Sequence, residues 1–272
     1  MCTYTPMAAT QSGGQAWSPT GPLGGALADV PDALAAAPAT GQLFALLSNG
    51  SVELARPGYT TWSTVVRRGA LGTTPAGQRC GVRGLVAVAF SPTGGPLLGA
   101  ACARAGVAGI LSANGGTWQT TGPAMPGALA RDPVAVRRLT TAGNEVVALL
   151  QAGSGPAARW LAAWSADGGQ HWALSPPLRL TGTRTPVASF GPSGAIVLSG
   201  SSAFAIGGAG GTWRSLPQLP AGTATVAPGP ASGFDALAVR GSRLTVWRLG
   251  GGSAAWRVAQ IIHVPIQYGS SG

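Results

Sequence analysis

Arginine is the residue type through which this sequence is best equipped for chemistry. Seventeen arginines and no lysine face seven carboxylates and two histidines, for a formal charge of +10. The planar arginine fork grips carboxylate and phosphate groups in two-point contacts. Nine of the seventeen, Arg67, Arg68, Arg79, Arg83, Arg131, Arg137, Arg138, Arg179 and Arg184, crowd into short stretches of chain. The carboxylates Asp29, Asp32, Glu53, Asp132, Glu145, Asp167 and Asp235 are spread out, as are Tyr4, Tyr59 and Tyr268. His171 and His263 stand far apart, and no C-x-x-C, H-E-x-x-H, phosphate-loop or G-x-S-x-G pattern occurs. Metal, nucleotide and triad chemistry therefore have no foothold, and neither a cofactor nor a metal is expected. What the residues suit is holding an anion.

The elements that must position these arginines repeat. Trp17, Trp62, Trp118, Trp172, Trp213 and Trp256 follow one another at spacings of 45, 56, 54, 41 and 43 residues. Each unit opens on a small-residue strand and a turn closing on glycine, as in Ala36–Gly41, Ala89–Gly94, Ser189–Gly194 and Ala227–Gly233. A second apolar strand follows: Gln42–Leu47, Pro96–Cys102, Glu145–Leu150, Ala195–Ser199 and Phe234–Val239. A third strand then leads through a glycine turn to the tryptophan, which begins a fourth. Short strands, 44 glycines and 22 prolines, and no long helical period indicate an all-β chain. A period in this range is that of a β-propeller blade. The expectation is a six-bladed β-propeller, one domain over residues 1–272. Thr3–Trp17 reads as the tail of a unit and Ile261–Tyr268 as the first strand of one. Both termini would then share the sixth blade and close the ring, leaving no sheet edge bare. A fragment cut from a longer chain is the competing reading.

Ser165-Ala-Asp167-Gly168-Gly169-Gln-His-Trp172 resembles the Asp-box, S-x-D-x-G-x-x-W, of the sialidase-like (BNR repeat) propellers. Ser112-Ala-Asn114-Gly115-Gly116-Thr-Trp118 is a copy one residue shorter, with Asn for Asp. The resemblance implies that Ser165, Asp167, Gly169 and Trp172, with Ser112, Asn114, Gly116 and Trp118, are structural. In such a turn the Asp or Asn accepts backbone N–H bonds, glycine takes positive φ and tryptophan plugs the hairpin. It also raises the alternative of a sialidase-like glycoside hydrolase, whose family uses an arginine triad, a Tyr–Glu pair and an acid/base Asp. Arg131-Asp-Pro133 and Arg184-Thr-Pro186 have the shape of that family's first arginine motif. Both fall at the same place in successive units, which reads as strand entry instead.

In propellers the connections between blades gather at one mouth of the channel. Arg67, Arg68, Arg131, Arg137, Arg138, Arg179 and Arg184 are accordingly expected to line an anion-binding mouth. The function this favours is a non-enzymatic, monomeric binding or assembly module, taking an acidic glycan or an acidic protein segment. Nucleic acid is not expected, because the arginines are dispersed and no aromatic–basic stacking motif accompanies them. A blander reading is compositional drift on a solvated surface. Cys80 and Cys102 fall where antiparallel pairing brings them together, as a disulfide or as two buried thiols. No apolar run is long enough to span a membrane. The expected location is extracytoplasmic or secreted, in a bacterium with a high-GC genome, with an anchor or export segment removed from the N-terminus.

Overall fold

The computed structural model describes residues 8–9, 18–23, 30–37, 39–142, 144–180, 186–191, 194–208, 210–229, 233–251 and 253–263. Cys2, Tyr4, Trp17, Asp29, Arg184 and Tyr268 lie outside them. The chain divides into two compact units, Met1–Ser154 with Ala163–Ala173, and Gly155–Ala162 with Leu174–Gly272.

The first unit holds a two-residue antiparallel ribbon, β1 (Ala8–Ala9) with β2 (Ser18–Pro19). A four-stranded antiparallel meander follows: β3 (Ala33–Ala37), β4 (Gln42–Leu46), β5 (Ser51–Ala55) and β6 (Trp62–Arg67). The next four, β7 (Val82–Phe90), β8 (Pro96–Ala105), β9 (Gly109–Asn114) and β10 (Thr117–Thr120), repeat the pattern. β11 (Pro133–Ala142) and β12 (Glu145–Ala152) form a hairpin, and β11 also pairs with β8. β13 (Arg159–Ser165) and β14 (Ala173–Leu174) continue that series in chain order.

In the second unit β15 (Leu178–Arg179) pairs with β13 through Trp160 and Leu178. Two further meanders complete it. One is β16 (Val187–Gly191), β17 (Gly194–Ser199), β18 (Ser202–Ile206) and β19 (Arg214–Ser215). The other is β20 (Thr223–Pro228), β21 (Phe234–Arg240), β22 (Arg243–Leu249) and β23 (Arg257–His263). The chain is all-β apart from short helices, and the strand boundaries follow the repeat. Trp62 opens β6, Trp118 lies in β10, and Trp172, Trp213 and Trp256 immediately precede β14, β19 and β23.

Two features depart from the sequence reading. The stretch between β6 and β7 is helical: α1 (Arg68–Thr73) and α2 (Pro75–Cys80). Thr74 caps α2, its Oγ1 accepting from the Gly77 N–H at 3.1 Å, Pro75 opens the first turn, and Gly81 ends it at φ 65°. That Thr-Pro start and glycine stop are ordinary helix signals, too short to show a period. The second departure is at the C-terminal end. Ile261–His263 finish β23, where Thr245 pairs with Ile261 and Arg243 with His263, instead of starting a new unit. The expectation that both termini share one blade falls mostly on residues outside those described.

Each unit has its own core. In the first, Phe44, Leu46, Leu71, Phe90, Leu98 and Leu111 are buried together, with the Phe44 and Phe90 rings stacked at 4.2 Å. In the second, Ile196, Leu198, Val226, Phe234 and Leu249 serve the same purpose. A disulfide joins Cys80 at the end of α2 to Cys102 in β8. Gly109 makes room for it: a Cβ there would lie 2.5 Å from Cys102 Sγ and 2.7 Å from Cys80 Sγ. Among the described residues no helix is long and apolar enough to cross a membrane.

Candidate functional site

Three first strands of the first unit, β3, β7 and β11, line a cleft of about 670 Å³. Small residues are frequent in its lining: β3 reads Ala-Leu-Ala-Ala-Ala, and Ala87 and Ala89 of β7 are among the residues around it. Hydroxyls of Thr40, Ser91, Thr93 and Thr140 edge the cleft, with the carboxylate Asp32 at one end and the cations Arg137 and Arg138. Among the described residues the lining includes no tyrosine.

The two arginines stand side by side because of a β-bulge. Along β11 the pairing passes from Val136↔Leu150 to Arg138↔Leu149, leaving Arg137 as the extra residue. An ordinary strand would send neighbours to opposite faces, whereas a bulge re-aims one of them. Val134, Val136 and Leu139 remain buried on either side of it. Two contacts hold the bulge in place. A Cβ on Gly99 would fall 2.7 Å from Val136 Cγ1, so only glycine in β8 admits Val136 at this depth. Further on, Thr141 Oγ1 donates to the Phe90 carbonyl at 2.6 Å, tying β11 to β7.

Arg137 is half-buried, and its Nε donates to Gln151 Oε1 at 2.7 Å. Burial lowers its pKa from the usual arginine value, since the desolvated cation is disfavoured. It stays protonated at neutral pH. Among the described residues the ion pairs are His171–Asp167 and Arg248–Asp235, so neither cleft arginine is neutralised by a carboxylate. The result is two uncompensated guanidinium groups at a cleft wall, one with its Nε already oriented.

Of the other arginines named from the sequence, Arg67, Arg68 and Arg131 are not among the residues lining the cleft. Arg67 ends β6, Arg68 begins α1 and donates from Nη1 to the Arg83 carbonyl at 3.0 Å, and Arg131 closes a 3-10 turn at Gly127–Arg131. Arg179 is in β15 of the second unit, and Arg184 lies outside the described residues. Arg137 and Arg138 themselves belong to a first strand, not to the connection before it, because β11 starts as early as Pro133. Gly99, Gln151 and the cleft hydroxyls were not anticipated. One signal was readable: the apolar positions 134, 136 and 139 slip by one residue, as a bulge requires.

The Ser165–Trp172 turn is closed on itself. Asp167 Oδ1 accepts from the Ser165 hydroxyl at 2.8 Å and from the N–H groups of Gln170 and His171 at 3.0 and 2.9 Å. Its Oδ2 lies 2.6 Å from His171 Nδ1, and Ser165 Oγ accepts from the Gly169 N–H at 2.7 Å. The His171 backbone N–H foremost, then its ring and the Ser165 hydroxyl, hold this carboxyl far below the usual range. Both carboxylate oxygens of Asp167 are thus engaged within the turn. The shorter copy differs. Asn114 pairs with Thr117 across a two-residue turn whose glycines, Gly115 and Gly116, both take positive φ, 56° and 83°. That backbone turn closes the hairpin unaided, and among the described residues the Ser112 and Asn114 side chains make no hydrogen bond. The expectation that Asn114 accepts backbone N–H bonds is therefore corrected.

Neither a family model nor a curated protein matches the chain. Among solved structures it is similar to a protein from Lactobacillus plantarum at 12% identity and a TM-score of 0.48. That match covers 80% of this chain, which spans 64% of the other's length. It is also similar to the six-bladed β-propeller lectin of Aleuria aurantia, at 12% identity and TM-score 0.46, covering 86% of this chain and 78% of the lectin. A 6-phosphogluconolactonase-like protein of Bacteroides uniformis stands at 12% identity and TM-score 0.48, covering 86% of this chain and 85% of that one.

Proposed function

We propose that this chain is a six-bladed β-propeller acting as a non-enzymatic binding module. It takes the anionic group of an acidic glycan or an acidic protein segment in the cleft of β3, β7 and β11. The observation that carries this reading is the bulge in β11, which sets Arg137 and Arg138 at the cleft without an ion-pair partner among the described residues. Guanidinium forks held this way offer charge-assisted hydrogen bonds to a carboxylate or sulfate, while the neighbouring threonines offer neutral ones. The Cys80–Cys102 disulfide supports an oxidising, extracytoplasmic setting.

A thermal-shift screen tests the reading with uronic-acid, sialic-acid and sulfated oligosaccharides, an acidic peptide, and the neutral parents of each sugar. A rise in Tm with acidic members only, weakening as salt increases, is the expected result. Equal shifts with neutral and acidic sugars, or turnover of a sialoside, would overturn it.

A further inference from the structure

The last meander carries a second groove that the preceding reading does not use. Its register sorts one face of the sheet into rows. Arg240 lies opposite Arg243, which lies opposite His263; Ala238, Thr245 and Ile261 form the next row; Ala236, Trp247 and Val258 the next. Alternation along a strand places 243, 245 and 247 on one face, and the groove of about 690 Å³ is lined from that face. Pro217, Pro220 and Trp256 form its opposite wall.

Its two ends differ in chemistry. At the Gly241–Ser242 turn, Arg240 and Arg243 are exposed and directly cross-strand, an arrangement of like charges that is unfavourable by itself. Neither belongs to an ion pair among the described residues, and Arg240 reaches only the Ala221 carbonyl, at 3.5 Å. At the other end Trp247 and Trp256 are half-buried, and Trp256 is anchored by its Nε1 donating to the Pro217 carbonyl at 3.2 Å. Arg243 and Trp247 are four positions apart along β22, roughly 13 Å of strand. Thr245 stands between them on the strand, and Gln218 also lines the groove.

We infer that this groove is a glycan subsite, built for a short oligosaccharide with one acidic group at its end. The anion sits between Arg240 and Arg243, where it relieves their repulsion, and a sugar ring lays its C–H face on the tryptophans. Confinement of the cations to one end favours this over single-stranded nucleic acid, which needs positive charge along the whole groove. The inference does not depend on the β11 cleft.

The test is binding of hyaluronan tetrasaccharide, sialyllactose and galacturonic acid disaccharide, followed by calorimetry and tryptophan fluorescence. Lactose and a ten-residue oligothymidylate are the controls. The variants are Arg240→Glu with Arg243→Glu, both exposed, and Trp256→Phe, with Arg137→Glu and Arg138→Glu as the control for the cleft. At least one acidic sugar should bind at least tenfold more tightly than lactose. The Arg240/Arg243 variant should lose about 10–100-fold, the range of a charge-assisted hydrogen bond, with the cleft variant unchanged at this site. Loss only in the cleft variant would overturn this subsite and leave the proposed function standing. Silence from all three acidic sugars, or tighter binding of the oligothymidylate, would also overturn it.

Discussion

Trp172 and Thr121, fifty-one residues apart, are joined by a hydrogen bond of 2.6 Å from the indole Nε1 to the backbone carbonyl. The same relationship recurs in the second unit. Trp213 Nε1 donates to the Pro176 carbonyl at 2.8 Å, and Trp256 Nε1 to that of Pro217 at 3.2 Å. In each case the acceptor lies three or four residues past the preceding repeat tryptophan. The tryptophan thus staples its own repeat to the previous one, which is a physical reason for the periodicity. Trp62 differs, because its buried Nε1 has no partner among the described residues.

Trp172→Phe should therefore cost about 1–2 kcal/mol, the price of a carbonyl left without its donor. For a chain of this size that is a fall in Tm of several degrees. Trp62→Phe, which removes a donor already unsatisfied, should cost less. Thermal unfolding of the two variants beside the parent checks the order. A larger loss in Trp62→Phe would contradict it.

The Asp167 carboxyl titrates lower in the folded chain than in the unfolded one. Its contribution is therefore whole above the ordinary carboxylate value of 3.8 and is lost as pH falls below it. Asp167→Asn should lower Tm at neutral pH, and the gap to the parent should shrink between about pH 4 and pH 2. Melting curves across that range decide the point. A gap that widens on acidification would show the turn is not held by the ionised carboxylate.

Gly109→Ala should lower stability by about 1–3 kcal/mol, the usual range for overpacking, because the new methyl meets both disulfide sulfurs. Replacing Cys80 and Cys102 by alanine removes a bridge between residues 22 apart, and loop closure sets that loss near 3 kcal/mol. In the cysteine-free background Gly109→Ala should be milder, since the smaller side chains leave space. Urea unfolding of the four proteins gives the comparison.

The repeat was legible because tryptophan spacing and glycine turns are local signals. Trp62, Trp118, Trp172, Trp213 and Trp256 all stand within one residue of the start of a fourth strand. The helices α1 and α2 were missed because six residues show no period. The cleft was legible only in part. Arg137 and Arg138 were picked out, but their adjacency at one wall depends on Gly99 accepting Val136 and on Gln151 across the hairpin. Both are cross-strand relationships that no linear spacing reveals. Arg67, Arg68 and Arg131 looked equivalent in sequence and were separated by where strands and helices begin.

Gly99→Ala probes that dependence without touching a charge. A methyl 2.7 Å from Val136 Cγ1 must displace β11, so the bulge should shift. Affinity for an acidic ligand should fall while Arg137 and Arg138 remain in the chain. Stability should drop by about 1–3 kcal/mol. Titration of the variant at a temperature where it is fully folded separates the two effects.

The most direct test of the binding account reverses the charge of Arg137 and Arg138. An acidic oligosaccharide or acidic peptide that raises the parent's Tm is titrated calorimetrically into the parent and into the Arg137→Glu/Arg138→Glu variant, with Arg131→Glu as the surface control. Loss of at least tenfold in affinity in the double variant, with the control unchanged, is the predicted result, matching one or more charge-assisted hydrogen bonds. Unchanged affinity for every anion tested would contradict the account.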